Sequence, residues 1–242
     1  MAAAMQVFPV IDVKNGRVVH ARGGQRGSYQ AINSPLAEGS DPVAIAEGLM
    51  ALHRFEVLYV ADLDGISDAS PDLTMIQNLT RALPEIELWV DNGANTPAGV
   101  SDLLKHKRVK AVIGSETLQH ADDLANLCAQ HRSCIVLSLD FNGATFIGPP
   151  HLLHDTQVWP GTVIAMTLAA VGGKSGPDIA RILDLKKRSP ETSVVAAGGV
   201  RNKADLVALA KAGADAALVA TALHAGTLKA GDLIEITGLR QS

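Results

Sequence analysis

Aromatic residues are scarce in this chain: four Phe, two Trp and two Tyr among 242 residues. The core must therefore be built from Val, Ile, Leu and Ala, the residues that fill layered barrel interiors. Cysteine is nearly absent. Cys128 and Cys134 lie too close in sequence to close a useful loop, so they read as reduced structural thiols with no disulfide framework. No apolar run reaches the roughly 18 residues of a membrane span, so no membrane is expected as a partner. The opening "MAAAMQ" has neither the basic nor the apolar segment of a secretory signal. Residues 1–5 read as a frayed extension, with the fold beginning near Met5. Together these absences point to a soluble, cytoplasmic protein. The net charge of −4 and the lack of a basic cluster interleaved with aromatics exclude nucleic acid as an expected partner.

What is present is an ordinary globular composition, 47% hydrophobic and 19% charged, sufficient for one large core. Eight short apolar runs recur: 7–12, 57–64, 87–93, 111–115, 135–140, 163–167, 194–199 and 216–221. Few polar residues interrupt them, so they read as buried parallel strands. Helical segments lie between most of them, at 41–54, 70–83, 96–106, 121–131, 176–188 and 202–213. The first starts with Asp41 and Pro42; the second and third use Ser70-Pro71 and Thr96-Pro97 as starts; the fifth begins at Pro177. Alternation of strand and helix gives an α/β protein with a parallel sheet. Eight strands in a chain of this length favour a single (β/α)₈ barrel spanning 1–242; an open doubly wound sheet is the alternative.

The chain also echoes itself. "VIDVKNG" around Asp12 matches "LSLDFNG" around Asp140, "VDNGA" matches "AAGGV", and "VIGSETL" matches "LVATAL". The last two pairs share an offset of 106 residues and the first is offset by 128. A duplicated half-barrel, (β/α)₄ twice, accounts for this if the two halves differ in one connection. The first connection carries a long loop, 15–40. The fifth, 142–161, contains Pro149, Pro150 and Pro160 and has little room for a regular helix.

In parallel barrels ligands bind at the C-terminal ends of the strands. Residues at those ends include Asp12, Asp62, Asp91, Asp140, Thr167, Gly198 and Gly199. Facing carboxylates cannot all ionise cheaply, and their environments separate them into an acid and a base. Asp12 and Asp140 come from equivalent places on opposite sides of the barrel, which suits proton shuttling at adjacent atoms of a small substrate. The same residues also suit Asx-turns closed by Gly16 and Gly143. Asp62 and Asp64, two apart, face one side of a strand; one of them can stabilise the site or merely cap a turn. Gly198-Gly199 lets backbone N–H groups approach an anion after the seventh strand, the usual barrel phosphate position, and Ala220 and Thr221 add an N–H and a hydroxyl. Arg22 and Arg26, in a glycine-rich stretch of the long loop, suit a lid over an anionic substrate, and Lys174-Ser175 can touch a phosphate. His151 and His154 lack a third ligand, so no metal is expected.

The order of "PVIDVKNGRVV", "YVADLDG", "VIGSETL", "SLDFNG", "VVAAGGV" and "ALVATAL" resembles the HisA/HisF family of histidine-biosynthetic barrels, its HisA branch more than its HisF branch, over nearly the whole chain. The resemblance implies an Amadori rearrangement of an N-linked phosphoribosyl aminoimidazole, without metal or organic cofactor. It implies catalytic roles for Asp12, Asp140 and Thr167, and phosphate contacts at Gly198 and Gly199. The chain departs from the family at other strand ends. The Gly-Gly-Gly-Ile-Arg-like turn after strand three is "VDNGAN", where Asp91 repels a phosphate unless a cation intervenes. Gly114 and Ser115 keep the small pair after strand four, but Glu116 follows. Ala220-Thr221 replaces the Gly-Arg after strand eight.

The expected function is a HisA-like isomerase acting on a phosphorylated small molecule, as a monomer or small homo-oligomer. One alternative is a HisA-like paralogue with another substrate in tetrahydromethanopterin- or methanofuran-type one-carbon cofactor biosynthesis. Another is a non-catalytic barrel that binds a phosphorylated ligand.

Overall fold

The computed structural model describes residues 5–24, 26–173 and 175–238, without the side chains of Arg26 and Ala121. The expectations for residues 1–4, Lys174 and the Arg26 side chain lie outside the described residues. Eight parallel strands run in chain order around a closed barrel: β1 (Gln6–Lys14), β2 (Val57–Asp62), β3 (Glu87–Asp91), β4 (Val109–Gly114), β5 (Ile135–Asn142), β6 (Thr162–Thr167), β7 (Ser193–Ala197) and β8 (Ala216–Val219). Closure comes from β8 pairing with β1, Gln6 opposite Ala216 through Pro9 opposite Val219. The open doubly wound alternative is thereby excluded.

Helices cover the barrel where amphipathic segments have good starts. Asp41 accepts from the Ala44 N–H ahead of Pro42, and Thr96 accepts from the Gly99 N–H ahead of Pro97, as the Asp/Thr-Pro pattern dictates. Two expected starts are corrected. The helix over Leu73–Ala82 is capped by Asp72, which accepts from the Met75 N–H, and not by Ser70. Residues 63–68 already form a helix that ends with Ala69 in the left-handed region (φ 52°), so Ser70 and Pro71 serve the turn between the two. The helix over Ile179–Arg188 likewise starts from Asp178, with Pro177 just before the cap. Strand β2 also stops at Asp62, so Asp64 lies on the following helix and not beside Asp62 on a strand. The terminal helix over Ala230–Gly238 has no counterpart in the sequence reading.

The two duplicated motifs become matching hairpins. After β1 the chain turns at Asn15-Gly16, both with positive φ, and returns as a short antiparallel strand, Arg17–Val19, with Asp12 opposite Val19. After β5 it turns at Gly143 (φ 59°) and returns over Thr145–Ile147, with Asp140 opposite Ile147. Each aspartate thus faces the residue seven positions later. In the first hairpin Asn15-Gly16 supplies the φ > 0 that a two-residue turn needs; in the second Gly143 supplies it at the first turn position, with Asn142 still paired to Thr145 on the strand. The long loop therefore begins with structure, and the fifth connection holds a hairpin plus a five-residue helix, Pro150–His154.

The core has two parts. A large outer layer of Ile, Leu, Val and Ala lies between strands and helices, as composition requires. The barrel interior departs from that expectation: Phe8, Tyr59 and Trp89 sit inside it among Val112, Val136 and Ile164. Phe8 and Trp89 meet edge to face with centroids 5.1 Å apart. Few aromatics are needed, but a closed barrel must be filled to crystal-like density, and three large rings on the adjacent strands β1, β2 and β3 fill this side of it.

Trp159 compensates for the short fifth connection. It is essentially fully buried, and its indole N–H donates to the Leu152 carbonyl at 2.7 Å. Trp159→Ala should lower stability by about 3–5 kcal/mol, measured as a shift of the urea midpoint at constant m. An unchanged midpoint would show that the connection is held by other contacts.

Candidate active site

Strand alternation decides which side chains reach the mouth of the barrel. On β1, Phe8 and Val10 point inward and so does Asp12; on β3, Trp89 and Asp91; on β5, Val136, Ser138 and Asp140. Asp12, Asp91 and Asp140 accordingly line one cavity of about 390 Å³ at the C-terminal rim. Gly198, Gly199, Ala220, Thr221 and Arg22 line the same cavity.

Asp140 is 4% exposed and is hydrogen-bonded from its own strand and from the end of the neighbouring strand β4. Its Oδ1 accepts from the Ser138 hydroxyl at 2.7 Å, and its Oδ2 accepts from the Glu116 backbone N–H at 3.1 Å. The Ser115 hydroxyl lies 3.2 Å from the same Oδ2, and Ser115 Oγ accepts from the Asp140 N–H at 2.9 Å. Gly114 lies beside this carboxyl, where a Cβ would stand in ordinary contact with Oδ2 at 3.4 Å. Gly114 and Ser115 therefore support Asp140 and are not among the cavity residues. None of these bonds goes to the Gly143 turn, which removes the Asx-turn reading for Asp140. Burial pushes the Asp140 carboxyl up to about 7; the Ser138 hydroxyl bond opposes this, and the charges of Asp91 and Glu116 add to it.

Tyr59 was not anticipated. It is fully enclosed beneath the mouth, and its hydroxyl donates to Asp91 Oδ2 at 3.2 Å. Burial, then the charges of Asp91, Asp140 and Asp12, hold its phenol well above the usual range, so it remains a donor. Its only trace in the sequence is a lone phenol in an aliphatic strand. Ser138 was also missed, although its place two residues before Asp140 puts it on the same strand face.

Two expected residues are not brought to the cavity. Asp62 has outward parity and is 1% exposed; it caps the 63–68 helix through the Gly65 N–H at 3.1 Å and accepts from the Asp72 N–H at 2.7 Å. Asp64, its neighbour on that helix, accepts from the Asn15 N–H and braces the first hairpin. Thr167 shares the outward face of β6 with Val163 and Ala165, and the cavity wall there is made by Met166 and Leu168.

The opposite wall is glycine-rich for steric reasons. Gly198 has φ 98°, and a Cβ there would lie 2.6 Å from the Thr167 carbonyl oxygen; Gly199 has φ 82° and would overlap the Gly176 carbonyl. Both conformations and both close approaches require glycine. His20, His224 and Arg201 also line the cavity. The His224 imidazole, 2.9 Å from the Ser34 hydroxyl, is pushed down to about 4 by burial and then by His20, so it is neutral at pH 7. Among the described residues no three His, Cys, Asp or Glu side chains gather in a way that would hold a metal ion, and no helix is long and apolar enough to cross a membrane.

The folded pKa of Asp140, about 7, lies above its ordinary value of 3.8, so the native state binds the extra proton between them. Stability from this group is full below the lower value and is lost as pH rises toward the upper one. Asp140→Asn should therefore melt above the wild type at pH 8, with the gap closing toward pH 5. Each pKa unit is worth about 1.4 kcal/mol, which caps the gain at about 4 kcal/mol. A gap independent of pH would show that Asp140 is not a strained acid.

The family model described as "Histidine biosynthesis protein" matches residues 6–229. The chain is 29% identical over 245 residues to the 1-(5-phosphoribosyl)-5-((5-phosphoribosylamino)methylideneamino)imidazole-4-carboxamide isomerase of Listeria monocytogenes serotype 4b (strain F2365), covering 96% of this chain and 98% of that one. It is 26% identical over 240 residues to the protein of the same name from Natronomonas pharaonis, covering 93% and 95%. An uncharacterized protein of Methanocaldococcus jannaschii is 28% identical over 242 residues, covering 97% and 100%.

Proposed function

The chain belongs to the histidine biosynthesis protein family, and from that premise we propose that it isomerises a phosphorylated sugar-type metabolite by an aldose–ketose (Amadori) shift. The observation that carries this reading is Asp140: a buried carboxyl poised at about 7, lining the same cavity as Asp12. A group with that pKa can give up a proton and retake it near neutral pH. Asp140 acts as the acid and protonates the ring oxygen as the C1–O bond opens. Asp12 acts as the base and takes the proton from C2. The electrons of that C–H bond form the C1–C2 enol-amine, which tautomerises to the ketose. The anionic end of the substrate rests at Gly198-Gly199, near Thr221, on the wall away from the carboxylates.

Asp91 favours a second reading of the substrate. With Glu116 it makes the β3–β5 side of the cavity negative, which disfavours a second phosphate there. A family paralogue acting on a monophosphate fits that wall better than an enzyme for the bisphosphate named in the relatives.

Asp12→Asn and Asp140→Asn should each lower turnover of an aminoaldose phosphate by about 10²–10⁴-fold with the fold retained by circular dichroism. Because the acid must be protonated, kcat/KM should fall tenfold per pH unit above about 7. Complementation of a strain lacking the imidazole-carboxamide isomerase separates the two substrates. Growth supports the bisphosphate, whereas failure at good expression, with Asp140-dependent turnover of a monophosphate in vitro, supports the paralogue. Full activity in both Asn variants would falsify the acid–base assignment.

A further inference from the structure

His224 and Ser34 are both buried, and the imidazole Nδ1 lies 2.9 Å from the serine Oγ. Their backbones are fixed independently. His224 closes the short helix Thr221–His224 after β8, in which Ala222 and Leu223 are also buried, and its N–H donates to the Ala220 carbonyl. Ser34 lies in the long first loop, two residues after Ile32, whose N–H donates to the Val18 carbonyl. The bonds of this pair decide the tautomer of the ring. Ser34 Oγ accepts from the Leu36 N–H at 3.2 Å. Its only other hydrogen-bond partner among the described residues is His224 Nδ1. The hydroxyl proton therefore has an acceptor only if Nδ1 carries no proton, and a buried donor left unsatisfied costs about 1–3 kcal/mol. The imidazole is neutral at pH 7, and a neutral ring has one N–H. That proton sits on Nε2.

Nε2 itself makes no hydrogen bond to the described residues. It is not sealed off either, since among those residues the one enclosed side-chain nitrogen or oxygen without a partner is His131 Nε2. His224 Nε2–H therefore opens onto the cavity that the residue lines. A residue only 7% exposed thus aims one neutral donor, held in orientation by Ser34, at whatever fills that space. An ammonium or amide N–H of a ligand would meet a donor there and gain nothing, whereas a hydroxyl or carbonyl oxygen would be bound. A neutral imidazole that donates to a substrate oxygen is an established catalytic device. The place suits this use, because β8 stands between β7 and β1. A substrate that reaches from Asp12, on β1, toward the β7 side passes the β8 wall with its carbon chain, and in a sugar that chain carries hydroxyls.

We infer that His224 is a specificity-determining residue that donates from Nε2–H to a hydroxyl or carbonyl oxygen in the sugar portion of the ligand, and that Ser34 is the positioning residue that fixes its tautomer. The inference rests on the sugar-phosphate reading of the substrate.

Ribose 5-phosphate and methyl phosphate share a phosphate monoester, but only the first has sugar oxygens. Both are titrated into the intact protein with ¹⁵N-labelled histidine, and the His224 ring signals are assigned by their loss in His224→Phe or His224→Gln. The free wild type should be protonated on Nε2 and not on Nδ1. Ribose 5-phosphate should move the Nε2–H signals, and methyl phosphate should leave them in place. His224→Phe should weaken ribose 5-phosphate by about three- to tenfold, the worth of one neutral hydrogen bond, without changing the affinity for methyl phosphate. His224→Gln, whose amide N–H can stand in for Nε2–H, should recover part of the loss. Ser34→Ala, which serves if the His224 variants do not fold, should spread the ring proton over both nitrogens. An Nδ1–H tautomer in the wild type, a tautomer unchanged in Ser34→Ala, or Nε2 signals unmoved by bound ribose 5-phosphate overturns the inference and leaves the sugar-phosphate reading standing. Failure of the wild type to bind ribose 5-phosphate overturns both.

Discussion

Pairing of β8 with β1 is the constraint on which the rest of the molecule depends. Until the barrel closes, each strand has two faces and nothing decides between them. Closure makes one face interior, and the register then carries Phe8, Val10 and Asp12 inward and Val7, Ile11 and Val13 outward. A slip of one residue would exchange those sets. The position of Asp12, Asp91 and Asp140 around one mouth is therefore a property of the whole sheet.

The same closure creates the electrostatics of the site. Asp140 lies at the end of a strand whose neighbours on both sides exclude water, and burial is the largest influence on its carboxyl. Its hydrogen bonds from Ser138 and the Glu116 N–H recover part of the ionised form, while Asp91 and Glu116 oppose it. Asp62, at the end of a neighbouring strand, shows the contrast. It is equally buried, but it faces the helical layer, accepts two backbone N–H bonds and serves as a cap. Two carboxylates at strand ends thus differ in role because adjacent parity sends one to a cavity and the other to a helix start. The cavity is polarised as well, with carboxylates at β1, β3 and β5 and with glycine backbone and Arg201 beyond β7.

Much of this was legible in the chain. All eight strands are visible as apolar runs, because a strand buried on both faces has no polar residues to spare. Gly16 and Gly143 mark a bend in each half, although the sequence suggested a capped turn where the structure has a hairpin. Helix starts were correct at Asp41 and Thr96, where cap and proline act together. They were wrong at Ser70 and Pro177, where a nearby Asp is a stronger acceptor than the residue before proline. The support that Ser115 gives Asp140 is not visible in the sequence, because Asp140 lies 25 residues beyond Ser115.

The amino-acid sequence by itself determined the alternation of strand and helix, the two-fold echo and the glycine turns that follow Asp12 and Asp140. These follow from interactions between residues a few positions apart: backbone sterics, capping and apolar period. Only the tertiary structure decided that Tyr59 meets Asp91, that Ser34 meets His224 from 190 residues away, that Thr167 and Asp62 face outward, and that Arg201 borders the cavity. It also decided the pKa of Asp140. Desolvation and cross-strand contact depend on which distant segments exclude water from a group, and no local pattern carries that information.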